Sequence, residues 1–124
     1  MNKQYRELFQ IVARNGALNA EKVIETLKQN KEKDHTKEID SMLKMRDNFN
    51  AIEDKLLDGK ELEHAEYVTL YAGAVVCKNL MKKNIDTWTA VVKEYDENLI
   101  PKLYEVGKKS TDEEFNSLVD EYFN

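Results

Sequence analysis

Both histidines of the chain occur in Glu-x-x-His units, and these units are the nearest approach to a metal site in the sequence. They are Glu32…His35 and Glu61…His64. On a helix, side chains three residues apart can reach one ion, and two such units with further glutamates hold the di-metal centre of some four-helix bundles. Those ligands must point inward between apolar neighbours. Because both units lie in polar surroundings, we expect solvated histidines, no metal and no cofactor.

Cys77 is the one cysteine, and a catalytic thiol would need a base within hydrogen-bond distance. His64 lies thirteen residues earlier on the same predicted helix, which is about 20 Å at 1.5 Å per residue. Flanked by Val75, Val76 and Leu80, Cys77 is typical of a small buried hydrophobic residue. The sequence also contains no glycine-rich phosphate loop. We therefore predict that the protein is not an enzyme.

The stretch from Val68 to Cys77 must position any site, because almost all of it is apolar. Thr69 is its one polar residue, and the apolar residues cover the whole circumference of a helix. A helix that is apolar on every side is buried. We therefore predict a buried central helix at about residues 60–84, with the rest of the chain packed around it.

The segments before the central helix show helical periodicity. One apolar face runs from Tyr5 to Val12, and Gly16 is predicted to end that helix in a left-handed cap. A second helix then begins near Asn19. A third has apolar residues spaced alternately by three and four, and we expect this seam to pack along the central helix after a turn at Gly59. The seam residues are Met42, Met45, Phe49, Ile52 and Leu56.

The segments after the central helix have clear start signals. Asp86 can cap a helix whose apolar face begins at Trp88 and continues past Pro101, so we predict a kink at this proline, with a break as the alternative. Thr111, followed three residues later by Glu114, marks the start of a last helix. No segment alternates like a strand. The prediction is an all-α fold, a single domain over residues 1–124, built as a compact bundle of about six helices.

Negative charge is concentrated in the last third of the chain. The net charge is −5, and residues 84–124 carry four bases and ten acids, a local charge of −6. This charge disfavours nucleic acid and suits a basic protein surface. We predict a small protein-binding module, an accessory factor, adaptor or inhibitor of the mobile-element, phage or immunity type, acting as a monomer or homodimer. Its predicted contact residues are Tyr95, Tyr104, Glu113, Glu114, Glu121, Tyr122 and Phe123.

Two other functions stay open from the sequence. One is a helical pocket that binds a small ligand such as a nucleotide. The other is a DNA-binding regulator acting through residues 5–29, with the segment from Gly16 to Asn19 as the turn of a helix-turn-helix. Glu21 and Glu25 in the second helix of that motif argue against DNA binding.

The expected location is the cytoplasm. A single cysteine indicates a reducing compartment, and no signal-peptide pattern opens the chain. The longest nearly apolar run is about ten residues, whereas a membrane-spanning helix needs ~20. We therefore expect no membrane association.

Overall fold

The computed structural model describes residues 1–82 and 91–124. The described residues contain five α-helices and no strand, which confirms the predicted all-α class. The helices are α1 (Lys3–Gln29), α2 (Thr36–Leu57), α3 (His64–Met81), α4 (Ile100–Gly107) and α5 (Asp112–Phe123). A π-helical segment, Tyr95–Leu99, leads into α4.

Helix α1 is continuous through Gly16, so the predicted helix end at that glycine is wrong. Gly16 is buried, and Gly59 is the one glycine with a positive φ among the described residues. Gly16 instead lies against the ring of Phe49 on α2, where a side chain would not fit. Because residues 5–29 form one helix, they lack the turn of a helix-turn-helix, and the DNA-binding alternative loses its structural basis.

Helix α2 packs chiefly against α1 and less against α3. The sequence predicts the central helix, α3, as the main partner of the apolar seam, and this prediction is wrong. Phe49, Ile52 and Leu56 are buried, whereas Met45 is exposed. The helix ends as predicted at a glycine. Gly59 has φ of 72°, and the N–H of Lys60 donates to the carbonyl of Lys55 at 2.9 Å, the hydrogen bond of a Schellman cap.

Helix α3 is the central element, as predicted, although it is shorter than residues 60–84. It packs against α1, α2 and α4 and contributes the buried residues Tyr67, Leu70, Gly73, Ala74 and Cys77. Val68 and Leu80 are exceptions to the predicted burial, since each is exposed. The central helix is therefore enclosed on most sides but presents an apolar edge to solvent near its C-terminal end.

The chain stays helical across Pro101, and the π-helical segment explains how. Proline has no N–H, and its ring clashes with the carbonyl four residues earlier in an α-helix. Just before it, the N–H of Ile100 donates to the carbonyl of Tyr95, a step of five residues instead of four. Leu103 and Val106 beyond the proline are buried, as their periodicity predicts. The predicted cap Asp86 and the start of that face at Trp88 lie outside the described residues.

Helix α5 begins where the sequence predicts. The side chain of Thr111 accepts a hydrogen bond from the N–H of Glu114 at 3.3 Å. At the other end of the helix, the carbonyl of Phe123 accepts from the N–H of Asn2 at 2.6 Å, which ties the two ends of the chain together. The Phe123 ring is stacked on Tyr67 at 5.7 Å and lies edge-on to Phe9 at 5.1 Å between the ring centroids. The final helix is thus fixed to the core through its last residues.

Candidate functional site

The two Glu-x-x-His units lie in different surroundings. His64 begins α3, and its Nε2 lies 2.6 Å from the carbonyl oxygen of Gly107. Its ring is edge-on to Phe115 at 5.3 Å, so the expectation that it is a solvated surface residue is wrong. His35 is half-buried before α2. Among the described residues, no three His, Cys, Asp or Glu side chains are grouped so that they could hold a metal.

The predicted acidic and aromatic contact surface is only partly exposed. Tyr95 and Phe123 are buried, at 3% and 0% exposure, so neither can contact a partner, which corrects two of the predicted contact residues. Each of these side chains lies on the face of its helical segment that packs against the hydrophobic core. Tyr104 is 52% exposed and Tyr122 is half-buried. The remaining predicted residues are the exposed glutamates Glu113, Glu114 and Glu121.

Lysines within the chain already cover the rings of the two accessible tyrosines. The ammonium of Lys108 lies 5.2 Å from the centroid of Tyr104, and that of Lys102 lies 5.7 Å from the centroid of Tyr122. Cation–π contacts of this kind contribute about 0.5–1 kcal/mol at exposed sites. A cationic partner would therefore have to displace these lysines before it could use the aromatic faces.

A groove lies between α1 and α3. Its volume is about 600 Å³. One wall is a face of α1, and the other combines the C-terminal end of α3 with two residues that precede α4. We call it the α1–α3 groove. Its lining residues are Leu8, Ile11, Asn15, Leu18, Asn19 and Lys22 from α1, Cys77, Leu80 and Met81 from α3, and Val91 and Tyr95.

The groove concentrates the exposed apolar side chains of the protein. Eight large hydrophobic residues in the described part of the chain are exposed, and four of them line this one groove. Their exposed fractions are 53% for Ile11, 48% for Leu18, 41% for Leu80 and 37% for Val91. Single exposed apolar residues are ordinary on a protein surface, whereas a contiguous group marks a binding site.

The groove wall carries little charge. Burial raises the pKa of the Cys77 thiol from 9.0 to about 11, and it raises the pKa of the Tyr95 hydroxyl from 10.0 to about 12. Both groups are therefore protonated and neutral near pH 7. Lys22 is the one charged side chain among the described lining residues. The side-chain amides of Asn15 and Asn19 are the other strongly polar groups on the α1 wall.

Sequence reasoning missed this groove because of the helix break predicted at Gly16. Leu8, Ile11 and Leu18 follow spacings of three and seven, which place them on one face of a continuous helix. When the chain is divided at Gly16, Leu18 falls in a turn and the face disappears. The signal was present in the periodicity, and it needed only an uninterrupted α1.

Comparison with protein-family models, curated proteins and solved structures found no match. Within the described residues, none of the helices combines the length and apolarity that crossing a membrane requires.

Proposed function

We propose that this protein is a non-enzymatic binding protein that holds an apolar small molecule in the α1–α3 groove. The observation that carries the proposal is the convergence of Ile11, Leu18, Leu80 and Val91, all exposed, on one concavity of about 600 Å³. Small-molecule sites typically have volumes of about 300–1,000 Å³, with apolar walls and a few polar groups. The α1–α3 groove has this size and composition.

Covering the groove would stabilise the complex. Full burial of a Leu, Ile or Val side chain contributes about 1.5–3 kcal/mol, so covering the exposed half of one contributes about 1 kcal/mol. Four such side chains together contribute a few kcal/mol to the free energy of binding. The cost of immobilising the ligand is subtracted from this contribution. The gain suits a ligand held mainly by hydrophobic contact.

The lining favours a hydrocarbon ligand over a nucleotide. Phosphates are bound by backbone N–H groups at helix N-termini or by several cations together. The groove instead takes residues from the interior of α1 and the C-terminal end of α3, and it offers a single cation, Lys22. Its other large side chains are mostly aliphatic.

The absence of catalysis is part of the proposal. The Cys77 thiol has a pKa of about 11 because of its burial, so it is a poor nucleophile near pH 7. His64 begins the same helix thirteen residues before Cys77, out of reach of the thiol, and contacts Gly107 and Phe115 instead. The groove is therefore proposed to bind its ligand without reacting with it.

A fluorescence titration with Nile red, an uncharged probe of apolar sites, tests the proposal. Ile11→Glu and Leu18→Glu each place a carboxylate in the groove, and each should weaken saturable binding at least ~10-fold, since burying a charge without a partner is costly. Leu57→Glu is the matched control, because Leu57 is 60% exposed on α2 and does not line the groove. Circular dichroism checks that all variants are folded.

Two results would contradict a binding groove at this place. One is the absence of saturable Nile red binding by the unaltered protein. The other is an equal loss of binding in Leu57→Glu, which would mean that the probe reports exposed apolar surface in general.

A protein partner remains a second candidate, favoured by the charge of α5. This helix contains five acids and no base, and none of them forms an ion pair among the described residues. Such a face would speed encounter with a basic protein. Reversing Glu113, Glu114 and Glu121 to Lys should slow association with a partner captured from the native host, and the effect should be largest at low salt. An unchanged association rate would remove this candidate.

A further inference from the structure

Lys22 has a special position in the α1–α3 groove. It lies fourteen residues after Leu8 on α1, which corresponds to about 21 Å at 1.5 Å per residue. Leu8, Ile11 and Leu18 therefore form an apolar track that ends at a cation. A track of this length suits an extended alkyl chain.

The ammonium of Lys22 is available to a ligand. Among the described residues Lys22 forms no ion pair, although five other lysines and two arginines do. A lysine can lay its methylene stem along apolar surface while its charged end stays in water. Such a cation favours an anion at the same end of the groove.

Two amides accompany the cation. Asn19 and Asn15 lie three and seven residues before Lys22, so they occupy the same face of α1 and line the same groove. Amide N–H groups can donate to a carboxylate alongside the ammonium. Hydrogen bonds to an ionised group are shorter and stronger than those between neutral groups.

From this arrangement we infer that the α1–α3 groove binds a single-chain amphiphile with an anionic head, such as a long-chain carboxylate. The alkyl chain lies along Leu18, Ile11 and Leu8, and the head contacts the ammonium of Lys22 and the amide of Asn19. This inference rests on the proposed function and adds the chemical class of the ligand and the residue that selects it.

Hexadecanoate and hexadecan-1-ol test the inference, because they share one chain length and differ in the charge of the head. Both are used as monomers to displace Nile red from the folded protein. We expect the unaltered protein to prefer the carboxylate about 10-fold, as a charge-assisted hydrogen bond would provide. Raising the ionic strength should weaken binding of the carboxylate and leave the alcohol unaffected.

Lys22→Met keeps the length of the stem and removes the charge. It should abolish the preference for hexadecanoate while the alcohol binds as before, which also shows that the groove is intact. Lys28→Met is the matched control, because Lys28 is an exposed lysine on the same helix and does not line the groove. Lys28→Met should bind hexadecanoate in preference to hexadecan-1-ol as strongly as the unaltered protein does.

The outcomes separate the inference from the proposed function. Equal binding of acid and alcohol by the unaltered protein would overturn the role of Lys22 and leave the binding groove in place. Failure of both ligands and of Nile red to bind would overturn the groove itself. Vesicles of phosphatidylglycerol distinguish the source of the anion, and binding to vesicles without binding of monomeric hexadecanoate would contradict a free amphiphile as the ligand.

Discussion

The ring of Phe49 is held between two glycines, and this arrangement leads to a sharp prediction about stability. A methyl group added at Gly16 would lie 2.7 Å from Cζ and 2.8 Å from both Cε atoms of the Phe49 ring. One added at Gly73 would lie 2.7 Å from Cε1 of the same ring and 3.1 Å from Cγ1 of Val12. The two glycines lie on different helices, and both face the same end of the buried ring.

We therefore expect Gly16→Ala and Gly73→Ala each to destabilise the fold. Alanine in a helix interior is favoured over glycine by about 1 kcal/mol. Overpacking a close contact costs about 1–3 kcal/mol, and here the contact is with the buried ring of Phe49. The net loss should be about 1–2 kcal/mol for each alanine, and larger for Gly73→Leu. In a domain of this size each kcal/mol lowers Tm by about 4 °C.

Urea denaturation of five variants measures the effect: three single changes of glycine to alanine, Phe49→Leu, and Phe49→Leu combined with Gly16→Ala. Gly107→Ala is the control, because its added methyl group would meet Cγ2 of Val68 at an ordinary 3.4 Å. This substitution should be neutral or stabilising by up to about 1 kcal/mol. Phe49→Leu removes the clashing ring atoms at the cost of a void, so combining it with Gly16→Ala should cost less than the sum of the two changes.

Two results would refute the reasoning. The first result is that Gly16→Ala raises the free energy of unfolding, as Gly107→Ala is expected to do. That result would mean that α1 and α2 are not in close contact at Gly16. The second result concerns the double variant of Gly16→Ala and Phe49→Leu. If its loss of unfolding free energy equals the sum of the two single losses, the Phe49 ring is not what excludes a side chain at Gly16.

Three further predictions concern pH, metal and capping. Stability should fall as pH rises from about 9 to 12, because burial raises the pKa of Cys77 to about 11 and that of Tyr95 to about 12, so the folded state holds protons that the unfolded state has released. In Cys77→Ala the fall between pH 9 and 10, measured by urea titration, should become smaller, and the part caused by the buried tyrosines should remain. Elemental analysis of purified protein should find no stoichiometric iron, manganese or zinc, and a bound metal lost in His64→Ala would contradict this. Thr111→Ala should cost about 1 kcal/mol through loss of the α5 cap, and an unchanged Tm would show that the cap contributes nothing.

Features encoded by neighbouring residues could be predicted from the sequence. The start of α5 depends on Thr111 and on the N–H of Glu114, three residues away. The end of α2 depends on Gly59 and hydrogen bonds within the same turn. Helical periodicity likewise identified the buried residues Leu103 and Val106, because the spacing of apolar residues along one helix decides which of them share a face.

Features that depend on distant residues could not be predicted in the same way. Gly16 has the same local sequence whether it ends a helix or accepts an aromatic ring, and the deciding residue, Phe49, lies thirty-three positions later. The seam of α2 indicates that one face is buried without saying which helix covers it. Phe123 was assigned to the surface because it stands near the last position, and its burial results from packing against Tyr67 and Phe9.

The same limitation applied to the candidate site. The α1–α3 groove draws its described walls from residues 8–22, 77–81 and 91–95, so it exists only once α1 is continuous and lies beside the end of α3. Its apolar lining residues look individually like core residues in the sequence. Which of them remain exposed depends on how far the neighbouring helices extend over them.

The π-helical segment Tyr95–Leu99 acts as a one-residue phase shift in the chain. Each residue of an α-helix turns the backbone by about 100°, so one additional residue within a turn rotates everything before it relative to everything after it by that angle. Val91, which precedes this shift, lines the groove, whereas Leu103 and Val106, which follow it, are buried. Deleting one residue from the π-helical segment would restore an α-helix and turn Val91 by about 100°. The shape of the groove is therefore tied to the length of a segment that forms little of its lining.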